Sequence, residues 1–279
     1  MKQKDKSQKM QGEQGFDEYY RNIYKERWES LKNSLYGESD HKKFLIGENE
    51  PYFLDSGSIR CAVTLPLKGA KKILDLCAAP GGKTLILASC MDKDATLLSN
   101  ERSSDRCARL KKVCDTCLPE SIRQRVDVCC KDGAKMCLSN GEAFDRILLD
   151  APCSSERHVL SSPKYLAEWS PSRIKTLSMA QWALLSSAYR MLVPGGYILY
   201  STCALTDEEN DKVIAKLLKK FGDAEIQMPE ISSNVSSVCD TTLPEYEKTE
   251  FGAHILPDKA NGAGPLYFCL IKKGEKSAE

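Results

Sequence analysis

No stretch of roughly 18 or more apolar residues occurs in the 279-residue chain, which excludes a membrane-spanning helix and a membrane partner. An apolar leader is missing too: residues 1–15 are rich in Lys and Gln with acidic residues mixed in, the composition of a disordered tail rather than of an Arg-rich, acid-poor transit peptide. Charge of one sign is not in excess. Forty Lys and Arg stand against thirty-nine Asp and Glu, a net charge of +1, so bulk electrostatics give no argument for a nucleic-acid partner, and a basic surface has to come from uneven distribution. Histidine is scarce, with three in the chain, and there is no internal repeat. Cysteine is plentiful instead. Thirteen of them without a leader read as free thiols of a reducing compartment, not as a disulfide framework; this predicts a cytoplasmic protein, with the mitochondrial matrix as the alternative.

Residues 16–36, "FDEYYRNIYKERWESLKNSLY", place apolar or aromatic side chains at Tyr20, Ile23, Tyr24, Trp28, Leu31 and Leu35. That is helical spacing and predicts one amphipathic helix packed on a main domain. Residues 37–55 are turn-rich and read as a connector. From Lys71 onward, strand-like runs (72–76, 96–100, 125–130, 146–149, 196–201) alternate with helical stretches (83–90, 104–117, 172–192, 207–221), the pattern of parallel strands joined by crossover helices. Two closing apolar segments, 224–228 and 266–271, read as an antiparallel edge pair. The predicted fold is α/β, a doubly wound, mostly parallel, seven-stranded Rossmann-like sheet with a small N-terminal helical extension. Its division is a tail at 1–15, extension and connector at 16–60, the α/β domain at 61–273 and a tail at 274–279.

Such sheets bind ligands at the carboxyl ends of their strands, and there the sequence becomes specific. The first strand runs into Cys77-Ala78-Ala79-Pro80-Gly81-Gly82-Lys83-Thr84, a phosphate-binding P-loop in every respect but one: Cys77 replaces the first glycine, whose backbone freedom lets successive N–H groups wrap a phosphate. The second strand leads to Glu101, twenty residues past Gly81, where an acid accepts the two hydroxyls of a ribose. Asp132 follows the third strand, in reach of an adenine amine, and Asp150 ends the fourth, near the cationic end of a zwitterion. No clear Walker B aspartate accompanies the loop. Adenosine joined to an amino acid and a transferable group describes S-adenosylmethionine. The cofactor-binding set is Cys77, Ala78, Ala79, Pro80, Gly81, Gly82, Lys83, Glu101, Arg106, Asp132 and Asp150.

Two cysteines lie just past strand ends, Cys153 in "DAPCSS" and Cys203 in "YSTCAL". Carbon 5 of a cytosine is too poor a nucleophile to take a sulfonium methyl unaided, but thiolate addition at C6 turns the ring into an enamine whose C5 attacks. A second group must then remove the C5 proton so that elimination frees the enzyme. Position alone leaves open which cysteine does which.

The segments "DLCAAPGGKT", "DAPCSS" and "YSTCAL", in this order, resemble the RNA 5-methylcytosine methyltransferases of the RsmB-like, or Sun-domain, family over residues 16–273. The resemblance implies Cys203 as nucleophile, Cys153 as the group that assists release, Asp150 beside the methionine end and the target base, and Lys83 reaching toward that base. It implies RNA as partner, ribosomal RNA before transfer RNA, with a protein partner or ribosomal assembly intermediate open, and a monomer. Two segments depart from the common pattern, Ser154-Ser155-Glu156-Arg157-His158 and "GAGPLYF" at 262–268, and both, with the "FDEYY" start, resemble the short subgroup that includes mitochondrial ribosomal and transfer RNA enzymes. Separate RNA-binding domains are not evident.

His158 reads as a surface or structural residue, with proton transfer or substrate contact as its alternative. Cys114, Cys117, Cys129 and Cys130 lack the paired spacing of a zinc site, so no metal is expected. Gln181 and Trp182 read as packing and hydrogen-bonding support. The alternatives to an RNA cytosine-C5 methyltransferase are a P-loop ATPase, a DNA cytosine methyltransferase attacking through Cys153, and a catalytically silent RNA-binding assembly factor.

Overall fold

The computed structural model describes residues 10–228 and 242–275. Its N-terminal segment is not the single helix that the periodicity predicts. α1 (Gly12–Tyr24) gives way to a 3-10 turn at Lys25–Arg27, with Lys25 at φ 54°, before α2 (Trp28–Tyr36). Lys32 pairs with Asp17 at 2.7 Å, although fifteen residues of straight helix would separate them by ~22 Å; the chain therefore folds back on itself. The reversal gathers Phe16, Tyr20, Trp28, Leu31 and Leu35 into one buried cluster with Trp169, and it turns Arg27 outward to Asp258 and Glu247. α1 begins at Gly12, inside the stretch expected as tail; residues 1–9 and 276–279 lie outside the described residues.

The expected connector contains an antiparallel hairpin, β1 (His41–Phe44) and β2 (Tyr52–Asp55). Asp55 then caps α3 (Ser56–Thr64) by accepting the Gly57 N–H at 2.8 Å.

The main sheet follows from apolar runs buried on both faces: β3 (Lys72–Asp75), α4 (Gly82–Cys90), β4 (Thr96–Asn100), α5 (Ser104–Cys117), α6 (Glu120–Arg123), β5 (Val126–Cys129), β6 (Phe144–Asp150), α7 (Glu156–Leu160), α8 (Pro163–Ala167), α9 (Pro171–Met191), β7 (Leu192–Thr202), α10 (Asp211–Lys220), β8 (Ala224–Gln227), β9 (Glu247–Lys248), β10 (Ala253–Ile255) and β11 (Leu266–Lys273). Alternate side chains serve opposite layers. Ile73, Leu148 and Leu199 pack toward α3 and α4, while Leu74, Ile147, Leu149 and Tyr200 pack toward α9 and α10.

The strand order is β5-β4-β3-β6-β7-β11-β10-β9, with β8 also paired to β11. β5 through β7 run parallel and β11 is antiparallel to β7 and β8. All seven expected strands are present. β9 and β10, two and three residues long, extend the sheet to nine strands; segments that short carry no readable alternation. The chain leaves β3 toward β4 and β5, then returns to β6 on the other side of β3. The crevice between the ends of β3 and β6 is thus the switch point at which such sheets take ligands. Among the described residues no helix is long and apolar enough to cross a membrane.

Trp28 is fully buried and stacks on Tyr20 at 5.3 Å. Trp28→Ala is expected to cost about 3–5 kcal/mol by urea denaturation and to open the extension to limited proteolysis; an unchanged midpoint and cleavage pattern would show that the extension contributes nothing to folding.

Candidate active site

The loop between β3 and α4 is shaped by packing against α5. Gly81 has φ 123°, and a Cβ there would lie 2.9 Å from Val113, so both backbone conformation and space require glycine. Ala79–Pro80 is a cis peptide. Asn100, at the end of β4, fixes the loop from the side: its carbonyl accepts the Ala78 N–H at 2.8 Å, and its amide donates to the Leu76 and Lys131 carbonyls at 3.0 and 3.1 Å. One buried side chain therefore binds the ends of β3, β4 and β5 together, a role that only its burial reveals.

Glu101 is 4% exposed. Its Oε1 accepts the Ser103 N–H at 2.9 Å, while Oε2 has Arg106 Nη1 at 3.2 Å yet no aligned hydrogen bond. A buried carboxylate oxygen lacking a donor is what a ribose hydroxyl would satisfy. Arg106 also donates to the Ala79 carbonyl at 2.7 Å. Asp132 accepts the Ala134 N–H at 3.2 Å, capping the 3-10 helix Gly133–Leu138.

At the end of β6, Asp150 accepts Lys83 Nζ at 2.7 Å and Ser201 Oγ at 2.8 Å. Burial opposes the charge on Lys83, but Asp150 and other neighbouring acids outweigh it and hold the ammonium above its ordinary value. Asp75, which the sequence reading passed over, is fully enclosed beside this pair; Thr84 donates to its Oδ2 at 2.7 Å and its Oδ1 has no partner. Burial, reinforced by the charge of Asp150, raises Asp75 to about 7 despite the Thr84 bond.

The two cysteines meet because β6 and β7 are in parallel register with Asp150 opposite Ser201: Cys153 and Cys203 follow these partners by three and two residues and leave the sheet at one level. The Cys203 N–H donates to Cys153 Sγ at 3.2 Å. Ser155, in the left-handed region at φ 56°, sets its hydroxyl 3.1 Å from Cys203 Sγ and 3.6 Å from Cys153 Sγ. The neighbouring Cys203 thiol, together with burial, pushes the Cys153 thiol well above its ordinary value.

Beneath them lie two enclosed carboxylates. Glu156 accepts from Tyr20 of α1, from Ser154 Oγ, and from the Leu205 N–H at 3.1 Å. Glu209 accepts the Ser154 N–H at 2.9 Å and Gln181 Nε2 at 2.8 Å, and Gln181 also donates to the Pro152 carbonyl at 2.9 Å. Burial and then the charge of Glu156 raise Glu209 to about 7. Gln181 is thus hydrogen-bonding support, in line with its expected role.

A cavity of about 850 Å³ opens over this floor, lined among others by Cys77, Ala79, Lys83, Arg106, Asp150, Cys153 and Cys203. A smaller one of about 170 Å³ adjoins it, lined by Ala78, Pro80, Gly82 and Asp75. Glu101, Asp132 and Gly81 line neither cavity; Glu101 and Asp132 sit at the ends of neighbouring strands, and Gly81 faces α5. His158 lines the larger cavity, its ring 5.2 Å from Tyr165. Cys114 and Cys117 are core residues of α5, while Cys129 bonds Asn100 Oδ1; among the described residues no three metal-ligating side chains gather.

Residues 62–270 match the family described as 16S rRNA methyltransferase RsmB/F. The chain belongs to this family. RsmB/F proteins are S-adenosylmethionine-dependent RNA methyltransferases, and Glu101 Oε2, ion-paired with Arg106 but without an aligned hydrogen bond, fits that cofactor. The mitochondrial tRNA (cytosine(34)-C(5))-methyltransferase of Mus musculus is 34% identical over 226 residues, 80% of this chain and 64% of its own length. The 5-cytosine rRNA methyltransferase NSUN4 of Mus musculus is 32% identical over 238 residues, 82% and 61%. The chain thus spans about three fifths of the length of these curated relatives. A crystal structure of a methyltransferase homolog protein from Pyrococcus horikoshii, 21% identical, covers 92% of this chain and 94% of its own with a TM-score of 0.67, a likeness of fold.

The raised Asp75 makes stability depend on pH. Below about 4 the carboxyl is protonated whether folded or unfolded; above that the unfolded chain ionises while the folded one keeps its proton until about 7. Stability is therefore lost as pH rises through this window. Asp75→Asn is expected to gain on the wild type by at most about 4 kcal/mol between pH 4 and 7.5 in denaturant titrations, and parallel curves for the two proteins would contradict the assignment.

Proposed function

We propose that the protein methylates C5 of a cytidine in RNA through a covalent adduct on Cys203, with ribosomal RNA as the first candidate substrate and transfer RNA as the second. The observation that carries this reading is the contact between Cys203 and Cys153 on the floor of a cavity whose other side is the β3–α4 loop. A base stacked in a helix cannot reach either sulfur, so the target nucleotide must be unpaired or extruded.

Each residue then has a chemical task. Cys203, as thiolate, adds to C6 and delivers an electron pair to the ring, so that C5 becomes the nucleophile. S-adenosylmethionine, when bound, supplies the electrophilic methyl group. Cys153 enters the cycle holding its proton, in keeping with its raised value; after releasing that proton to water in the open cavity, the one proton the overall reaction sets free, it is a base strong enough to take the hydrogen from C5. Loss of that hydrogen lets Cys203 leave as thiolate and restores the aromatic ring. Ser155, within reach of both sulfurs, can pass a proton between them. Asp150 holds Lys83 and, through Ser201, the start of the nucleophile loop.

The geometry does not favour the ATPase alternative: Lys83, which in a P-loop must face a phosphate, is committed to Asp150 and, at 3.2 Å, to Ser58. Support for ribosomal RNA comes from the family description and from the names of NSUN4 and the bacterial small-subunit enzyme of Serratia proteamaculans.

Cys203→Ser is expected to abolish methyl transfer, whereas Cys153→Ala is expected to accumulate an RNA-linked species that survives denaturing electrophoresis. Methylation at the wild-type rate by Cys203→Ser would refute the proposal. Bisulfite sequencing of ribosomal and transfer RNA from cells with and without the gene would identify the substrate.

A further inference from the structure

The large cavity extends past the cysteines and the cofactor loop to a second wall, to which Tyr36, His41, Arg157 and His158 contribute. Arg157 assembles that wall. Its Nη1 donates to the Gly37 carbonyl at 2.9 Å and its Nη2 to the Gly262 carbonyl at 3.0 Å, so one guanidinium draws together the end of α2, the start of α7 and the turn before β11. Both acceptors are neutral. Among the described residues no carboxylate lies within the 4 Å of an ion pair with Arg157, and its Nε is buried without a partner. Asp55, on the same cavity, offsets part of that charge from beyond ion-pair distance; a half-buried cation without a direct ionic partner, at the wall of an open cavity, is set up to receive an anion.

Beside it stands an aromatic ring with nothing covering it. Tyr36 is 54% exposed yet lines the same cavity. A cation for a phosphodiester next to a free aromatic face for a base is the repeating unit by which proteins hold single-stranded nucleic acid. The wall is also continuous with the cavity in which Cys203 would meet its base, so a strand entering there crosses it.

We infer that this wall binds unpaired RNA nucleotides flanking the target cytidine, Arg157 facing a phosphodiester and Tyr36 stacking on a neighbouring base. The inference rests on the proposed function and deepens it: the N-terminal extension becomes part of the substrate site.

The test is fluorescence anisotropy of the full-length protein with a labelled, cytidine-containing single-stranded oligoribonucleotide across a salt titration. Tyr36→Ala is expected to weaken binding about tenfold with an unchanged salt slope, and Tyr36→Phe to restore it. Arg157→Gln is expected to weaken binding and to reduce the slope of log K against log salt by about 0.7, one released counterion on a single strand. Should Arg157→Gln fail to fold, Tyr36, which is exposed, decides alone. Wild-type affinity in Tyr36→Ala, or preference of the wall for a protein partner with no RNA binding by the wild type, would overturn the inference. RNA binding of the expected kind by a wild-type protein that transfers no methyl group would sink the proposed function and support the wall; methyl transfer with binding indifferent to Tyr36 would do the reverse.

Discussion

A backbone N–H that donates to a thiol sulfur holds Cys203 against Cys153, and the proposed chemistry depends on that contact. Two sulfurs so placed cannot both carry a negative charge in a buried setting, because each anion raises the cost of the other. The Cys153 thiol is accordingly held well above its ordinary value by its neighbour and by burial. Attack on C6 needs a thiolate and removal of hydrogen from C5 needs a base that becomes available later.

Most of the surrounding structure serves to keep those two loops in position. The register of β6 against β7 delivers them at one level. Glu209 holds the backbone of Ser154, Glu156 holds its side chain, and Glu156 reaches across to the Leu205 N–H beyond Cys203. Tyr20, from the N-terminal extension, completes the same carboxylate. Burying two acids within one small network is costly unless protons and hydrogen bonds compensate, and Glu209 is correspondingly shifted to about 7. The extension is thus joined to the catalytic floor by a polar contact as well as by the aromatic cluster around Trp169.

The sheet was legible because its strands are buried on both faces and read as unbroken apolar runs between turn signals, and all seven were found in this way. The placement of the β3–α4 loop and of the two cysteines was legible because each directly follows a strand end. What escaped were features set by tertiary contact. Lys25 breaks the first helix through packing and the Asp17–Lys32 pair, neither of which alters the hydrophobic period. Asp75 and Asn100 are ordinary strand-end residues until their burial is known. Glu156 and Arg157 carry no cue in the sequence beyond their departure from the family pattern, yet one is enclosed and the other ties α2 to the turn before β11. The three segments that resemble the short subgroup lie far apart in the chain and meet at this one dipeptide.

The role given to each sulfur is open to a direct reading. Wild-type protein can be reacted with S-adenosylmethionine and a substrate RNA bearing 5-fluorocytidine, whose C5 substituent cannot leave as a proton, and the linked peptide sequenced by mass spectrometry. The account predicts the nucleotide on the peptide containing Cys203; a nucleotide on the peptide containing Cys153 would contradict it.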